Sequence, residues 1–503
     1  MAGRSADKIS AGFLTRRIPD LEMKNYKMYW GGAWRDALDG TTRDVINPAT
    51  EKPFARVAWG GRQDAREAIG AAVIAQKAWA KVPLWERCEK VERIAPLIQA
   101  RVEELREILC DELGKPFHGE ARDEASESHT NFLIAPQQAK YLEGKTYPVQ
   151  TANMRVMSFR RPLGVIAAIT PWNFPSAIPT EYIPYALVMG NAIVWTPAPT
   201  AAATASVLAD IIQSAGLPPG IFNLVIGPGA EVGDEFVVNP GTHAVGMTGS
   251  PGTAKIISAR CGLKPRLFEL GGNGPVVVLE DADPAKVAKA VAPACFYAAG
   301  QVCSSAERIL VAEKIRKPFV EAMVEESRNW IAGDPRDPKV NVGPLNNAAS
   351  LVKVRAHVED AIQKGARLCA GGNPSDGPGF FYPPTVLDGF SKDSLVNTGE
   401  SFGPVAPIAS FRNEEEAAEL IDACNLGLVS SVFTRDVDRA WTWAERLRTG
   451  LTVVNEFTNY WEYHLPFGGR AGTESGIGRI GGKSTLEFVS EEQTLAFRIE
   501  ERF

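Results

Sequence analysis

Of the side chains in this 503-residue sequence that could do covalent chemistry, Cys303 has the most telling surroundings. It closes the run Gly300-Gln301-Val302-Cys303, just past Pro284–Ala299, whose apolar spacing reads as a helix. A thiol in a glycine-led turn between elements can be open to substrate, and backbone N–H groups there can lower its pKa and bind an oxyanion. By itself a cysteine is more often a packing residue, as Cys295 illustrates among Val291, Ala294 and Phe296. Upstream, Phe268-Glu269-Leu270-Gly271-Gly272 sets a carboxylate in apolar company, where desolvation would raise its pKa and suit it to general-base work. A lone glutamate is ordinarily exposed or ion-paired. Pro171-Trp172-Asn173-Phe174-Pro175 clamps a loop between prolines and offers the Asn173 amide as an oxyanion donor, although alone it would pass as a structural turn.

The elements that must position these groups read as α/β. Helical spacing marks Asp64–Ala80 and one long helix over Trp85–Leu113. Beyond residue 160 short apolar runs alternate with helices: Val165–Thr170 then Tyr182–Met189, Ala192–Trp195 then Ala201–Ala215, Phe222–Ile226 then Glu231–Val238. Continuous apolar runs of this kind belong to parallel strands buried on both faces. A second series follows, with strands at Val276–Leu279, Ala366–Ala370, Leu428–Phe433 and Leu451–Asn455 and helices at Pro284–Ala299 and Val352–Lys364. Leu486–Arg498 reads as an edge strand or hairpin, and Gly371–Pro384 as a surface loop. Gly227-Pro-Gly229-Ala-Glu-Val-Gly233 lies where a dinucleotide loop would, but it is one residue longer than that fingerprint and lacks the following acid; a plain β–turn–α connection explains it as well. Gly478–Ser484 is not a Walker A loop, because Ile477 stands where its first glycine is required.

Composition narrows the classes. Hydrophobic residues make up 45% and charged residues 23%, with a net charge of −6, which gives no basic footprint for nucleic acid. No run approaches the roughly 18 apolar residues of a membrane span, and Met1–Arg17 has no apolar signal core, so a solvated extension and a cytoplasmic location are expected. The seven cysteines are scattered and form no C-x-x-C pair, and the five histidines are isolated, which favours a reducing compartment and no metal site.

Six segments occur in a fixed order: PWNFP at 171–175, TGS at 248–250, ELGG at 269–272, GQVC at 300–303, ESFGP at 400–404 and PFGG at 466–469. On these, and on the 34-residue step from Glu269 to Cys303, the sequence from about Tyr26 onward resembles the aldehyde dehydrogenase superfamily, in its hydrolytic NAD(P)-dependent branch. The resemblance implies two Rossmann-like parallel-sheet domains plus a small β oligomerisation arm. The cofactor-binding domain would span 25–147 and 162–275, the catalytic domain 276–475, the arm 148–161 and 476–503, with an extension at 1–24. It further implies that Cys303 attacks an aldehyde, Asn173 and the Cys303 N–H hold the oxyanion, hydride passes to NAD or NADP, and Glu269 activates the water that hydrolyses the thioester. Trp172, Thr196, Gly229, Ser250, Gly271, Glu400 and Phe402 would bind the cofactor: Glu400 at the nicotinamide ribose, Phe402 beside the ring, Ser250 at the pyrophosphate near a helix N-terminus. Phe174, Ile178, Glu181, Tyr182 and Phe467 would line the tunnel of a small-molecule aldehyde. A homodimer or homotetramer would form through an arm near Gly144–Arg161 and the tail.

The sequence departs from the family in places. Thr196-Pro197-Ala198-Pro199 replaces the usual lysine and glutamate that grip the adenosine ribose, removing also the charge that repels a 2′-phosphate, so NAD preference is not implied. Tyr182 stands where lysine is common and Ile480 where glutamate is common, so a proton-relay pair is missing. Pro251 directly follows TGS, a first-turn position where proline is well tolerated. A CoA-acylating relative would generally lack Glu269, and a non-catalytic binding protein on the same fold would not need Asn173, Glu269 and Cys303 together.

Overall fold

The structure, a computed structural model, describes residues 23–374 and 377–500, so the expected N-terminal extension lies outside the described residues apart from its last two positions. Five parallel strands form the heart of the first sheet: Val165–Thr170, Ala192–Pro197, Phe222–Leu224, Ala244–Gly249 and Arg266–Leu270. Their valine-, isoleucine- and alanine-rich runs are almost wholly buried, as a sheet covered by helices on both faces demands. The order across this eight-stranded sheet is 476–477, 266–270, 244–249, 165–170, 192–197, 222–224, 28–30, 33–35, with the outer pairings antiparallel. Gly476–Ile477, from the segment grouped with the arm in the sequence, therefore belongs to this sheet.

The second sheet has seven strands, ordered 367–370, 385–388, 405–411, 308–312, 275–278, 429–433, 451–454, all parallel except the first pairing. Gly271-Gly272-Asn273-Gly274 joins Arg266–Leu270 of one sheet directly to Pro275–Val278 of the other. Two three-stranded sheets complete the fold. In one, the tail strand Ser490–Arg498 pairs antiparallel with Met154–Pro162, which also pairs with Thr146–Tyr147. The other, Lys24–Tyr26, Lys52–Ala58 and Thr42–Asn47, was not anticipated.

Three expected elements differ. The helix expected over Trp85–Leu113 is three helices, Leu84–Glu92, Ile94–Ala100 and Val102–Leu113. Pro96 lacks an N–H and its ring would clash with the carbonyl of Glu92, which breaks the first junction. At the second, Arg101 leaves the helix and pairs with Glu104 and Asp210. The helix expected to reach Ala299 begins as read, capped by the Asp283 side chain, but stops at Phe296; Ala298 and Ala299 adopt left-handed φ of 52° and 53°. In the tail, Leu486 is helical, within Gly482–Phe488, and only Ser490–Arg498 is strand. No helix among the described residues is long and apolar enough to cross a membrane.

Candidate active site

The strand Val165–Thr170 is the point from which the first sheet is wound in both directions, with 192–197 and 222–224 on one side and 244–249 and 266–270 on the other. Loops at the carboxyl ends of parallel strands open a crevice at such a switch point. The loop carrying Asn173 leaves 165–170, Thr196 and Pro199 end 192–197, Ser250 follows 244–249, and Glu269 sits near the end of 266–270.

Close approach explains the glycine pair after Glu269. A Cβ on Gly272 would lie 2.3 Å from the Cys303 carbonyl oxygen, and one on Gly271 would lie 2.4 Å from Glu400 Oε1. Without side chains there, the Cys303 loop and Glu400 both pack against the backbone that follows Glu269, and the Gly272 N–H donates to Glu400 Oε1 at 3.1 Å. The antiparallel pairing of Gly476 with Glu269 and of Ile477 with Phe268 braces the strand from its other side.

The Cys303 loop is held by side chains that the sequence did not single out. The Ala298 N–H donates to buried Glu120 at 2.6 Å, the Gln301 amide donates to the Ala298 carbonyl at 3.1 Å, and Gln301 Oε1 accepts from the Asn346 N–H at 2.9 Å. Asn173 Nδ2 donates to the Gln301 carbonyl at 3.0 Å, which ties Asn173 to the Cys303 loop. A primary amide has two N–H bonds, so one remains for a ligand. Glu307 accepts from the N–H groups of Ser401 and Phe402, the latter at 2.8 Å, and so fixes Phe402 at a φ of 56° with its ring edge-to-face against Trp172, centroids 5.6 Å apart. Buried Glu124 takes the Ser176 N–H and hydroxyl at 2.9 Å each and pairs with Lys115 at 2.7 Å, whose ammonium lies 3.9 Å from the Phe174 ring centre. Glu120 and Glu124 fall in a helix, Glu120–Glu127, so rich in acids that it reads as a solvated face. Glu307 had a signal: an acid beside Arg308, leading into the apolar strand Arg308–Ala312.

Glu269 is 3% exposed, and Oε1 has no hydrogen-bond partner. Burial pushes its carboxyl up to about 8; the Cys303 thiol beside it pulls the other way, and Glu400 adds to the rise. The expectation of a depressed thiol is not met: Cys303 is half-buried, and burial followed by the Glu269 charge pushes its pKa well above the ordinary value. Glu307 and Glu400 are both raised, first by burial, with the Glu400 charge adding to the rise at Glu307.

Tyr182 is wholly buried, its hydroxyl 2.8 Å from the Thr248 hydroxyl, and Thr248 lies across from Glu269 in the parallel register. Ile480 is buried in backbone pairing with Phe467 and offers no titratable group. Ile178 and Phe467 are buried, and Glu181, 5% exposed, has an Oε2 without a partner. Ser250 caps the helix Pro251–Arg260, accepting from the Thr253 N–H at 3.3 Å, with Pro251 at the first helical position. Thr196 is buried, Pro199 opens a 3-10 turn, and Gly229 starts a π-helical turn with no atom within 4 Å of where its Cβ would be. A capped helix N-terminus, an open glycine, an acid at Glu400 and the Trp172–Phe402 pair fit a dinucleotide along the crevice.

Residues 34–495 match the model of the aldehyde dehydrogenase family. A mitochondrial succinate-semialdehyde dehydrogenase of Arabidopsis thaliana is 36% identical over 459 residues, covering 91% of this chain and 86% of that protein. Among solved structures, one described as an E. coli NADP-dependent enzyme superposes with a TM-score of 0.92 at 32% identity, covering 95% of this chain and 98% of the other. A betaine aldehyde dehydrogenase from Staphylococcus aureus in complex with NAD+ gives 0.90 at 28%, covering 95% of each.

Proposed function

The chain belongs to the aldehyde dehydrogenase family, and on that premise we propose that Cys303 is its nucleophile, Glu269 its base and Asn173 its oxyanion donor. The reaction is oxidation of an aldehyde to a carboxylic acid with NAD(P)+, through a cysteine thiohemiacetal and thioester. The observation that carries the assignment is the convergence on one loop: Gly272, three residues past Glu269, abuts the Cys303 carbonyl, and Asn173 is bonded to Gln301, two residues before Cys303.

The Cys303 thiolate attacks the carbonyl carbon, forming the C–S bond and moving the π pair onto oxygen. The free N–H of Asn173 and the Cys303 backbone N–H hold that oxyanion in a site largely closed to water. NAD(P)+, when bound, accepts the hydride that converts the thiohemiacetal to the thioester. Glu400, with Gly271 packed against it, would hold its nicotinamide ribose, Trp172 and Phe402 its nicotinamide ring, and Thr196, Gly229 and Ser250 the path of its phosphates and adenosine. Glu269 then takes a proton from water, whose oxygen attacks the thioester carbonyl, and breaking the C–S bond frees the acid. Thr196 and Pro199 offer neither a charged grip on the adenosine ribose nor repulsion of a 2′-phosphate, so both NAD+ and NADP+ serve.

Phe174, Ile178, Glu181, Tyr182 and Phe467 enclose the substrate approach. Succinate semialdehyde, named for the Arabidopsis relative, carries a carboxylate that Glu181 opposes. The long tail strand Ser490–Arg498 leaves an open sheet edge, the kind of surface a second copy covers, in keeping with a homodimer or homotetramer. Replacing Cys303 by alanine tests the assignment: formation of reduced nicotinamide should vanish with every aldehyde while circular dichroism stays native, and turnover near wild type overturns it.

A further inference from the structure

The reaction leaves one buried acid without a task. Glu181 ends the 3-10 turn Ile178–Glu181, eight residues past Asn173. Among the described residues no lysine, arginine or histidine pairs with it, and its Oε2 has no hydrogen-bond donor. Its charged neighbour is another acid, Glu269; burial and that neighbour push its carboxyl well above the ordinary range. A buried carboxyl lacking a partner is costly, and native structures complete such groups with a donor. The Glu181 charge is near enough to act on both the Cys303 thiol and the Tyr463 hydroxyl, which places the carboxyl between the thiol and an aromatic group. There Trp461 lies 5.0 Å from Tyr463 and 5.2 Å from Phe467, centroid to centroid, and the Tyr463 hydroxyl donates to Glu127 at 3.0 Å. Ring faces and carboxylates attract a cation, while the same acids repel a carboxylate.

We propose, resting on the thioester reading of Cys303, that Glu181 with Trp461, Tyr463 and Phe467 recognises an ammonium group at the far end of the substrate, which makes ω-aminoaldehydes the substrate class. One ammonium N–H donates to Glu181 Oε2, and the rings flank the charge. The test is kcat/KM of the wild-type enzyme with NAD+ and with NADP+. A homologous series of ω-aminoaldehydes is compared with n-alkanals of equal length and with aldehydes ending in a carboxylate. At the best length the ammonium compound should exceed its alkanal roughly 10- to 100-fold, the range of a charge-assisted hydrogen bond, and the carboxylate compound should rank last. In Glu181→Gln the ammonium-to-alkanal ratio should fall to within about 3-fold of unity, since the ionic part of that bond is gone. Alkanal oxidation without an ammonium preference, or a preference that survives Glu181→Gln, overturns the inference and leaves the Cys303 reading standing. Oxidation of none of the three classes removes both. Should Glu181→Gln fail to fold, the wild-type ratios decide alone.

Discussion

At Cys303 and Glu269 the decisive fact is that both groups favour their protonated forms. Burial comes first in each case, and the Glu269 charge is the next largest influence holding the thiol protonated. Because the Glu269 carboxyl is raised, its basic form is scarce below about 8 and grows as pH rises through that value. Turnover limited by thioester hydrolysis should therefore climb with pH through an apparent pKa near 8, and a pH–rate profile flat from pH 6 to 9 would refute this. Glu269→Gln separates the two steps. It removes the proposed hydrolytic base and also the carboxylate that disfavours the thiolate, so acylation should persist. Rapid mixing should show one burst of reduced cofactor per site followed by turnover slower by about 100-fold or more. Loss of burst and turnover together would assign Glu269 to an earlier step. The raised carboxyl of Glu269 was legible from a glutamate in an apolar run before two glycines. The raised thiol was not, because a turn's N–H groups are visible in sequence while the carboxylate that folds against the turn is not.

The elements that carry these residues were legible where burial is complete and local. Six parallel strands of the two large sheets were read as unbroken apolar runs, whereas 244–249, 266–270, 308–312, 385–388 and 405–411 were not. Two features were hidden. Ala298 and Ala299 take a left-handed conformation that alanine disfavours, and such strain persists only where the surroundings over-determine it, here through Glu120 and Gln301. Glu120 lies far away in sequence in an acid-rich helix, so no local pattern reveals its part in this support. The glycine pair after Glu269 gives the element-scale test. In Gly272→Ala the new methyl would meet the Cys303 carbonyl at 2.3 Å, backbone against side chain, so the nucleophile's loop must move. A displacement approaching 1 Å costs about 100-fold in rate, and kcat/KM should drop by that order with a lowered Tm. Gly70→Ala is the contrast, because Gly70 lies in the helix Arg62–Trp79 with nothing within 4 Å of its Cβ. It should keep its activity and gain about 0.5–1 kcal/mol of stability in thermal or denaturant unfolding. Equal losses in both variants would mean that close packing at Gly272 does not govern the site.

Across the whole molecule the site exists because the first sheet feeds directly into the second. The loop after Glu269 is the connection between them, and Cys303 and Glu400 come from the second sheet's connections to meet it. That convergence was legible only through six short segments in order; neither the switch point at 165–170 nor the pairing of 476–477 with the base's strand leaves a sequence pattern, since both are long-range. The proposed cofactor crevice lies along the carboxyl edge of the first sheet, so its occupancy should stabilise the molecule as a whole. A ligand that binds only the folded state adds about 2.7 kcal/mol at 100 times its Kd, enough to raise Tm measurably. With Thr196 and Pro199 proposed to line the adenosine end, NAD+ and NADP+ should each raise Tm, with midpoints within about 10-fold of one another, or ~1.4 kcal/mol. Pro199→Glu would place a carboxylate in this turn. It should weaken NADP+ about 10-fold or more through repulsion of the 2′-phosphate, a cost that salt reduces, while NAD+ retains its midpoint. If wild type already excludes NADP+, or if Pro199→Glu weakens both cofactors alike, position 199 does not face the ribose and selectivity is set elsewhere along the crevice.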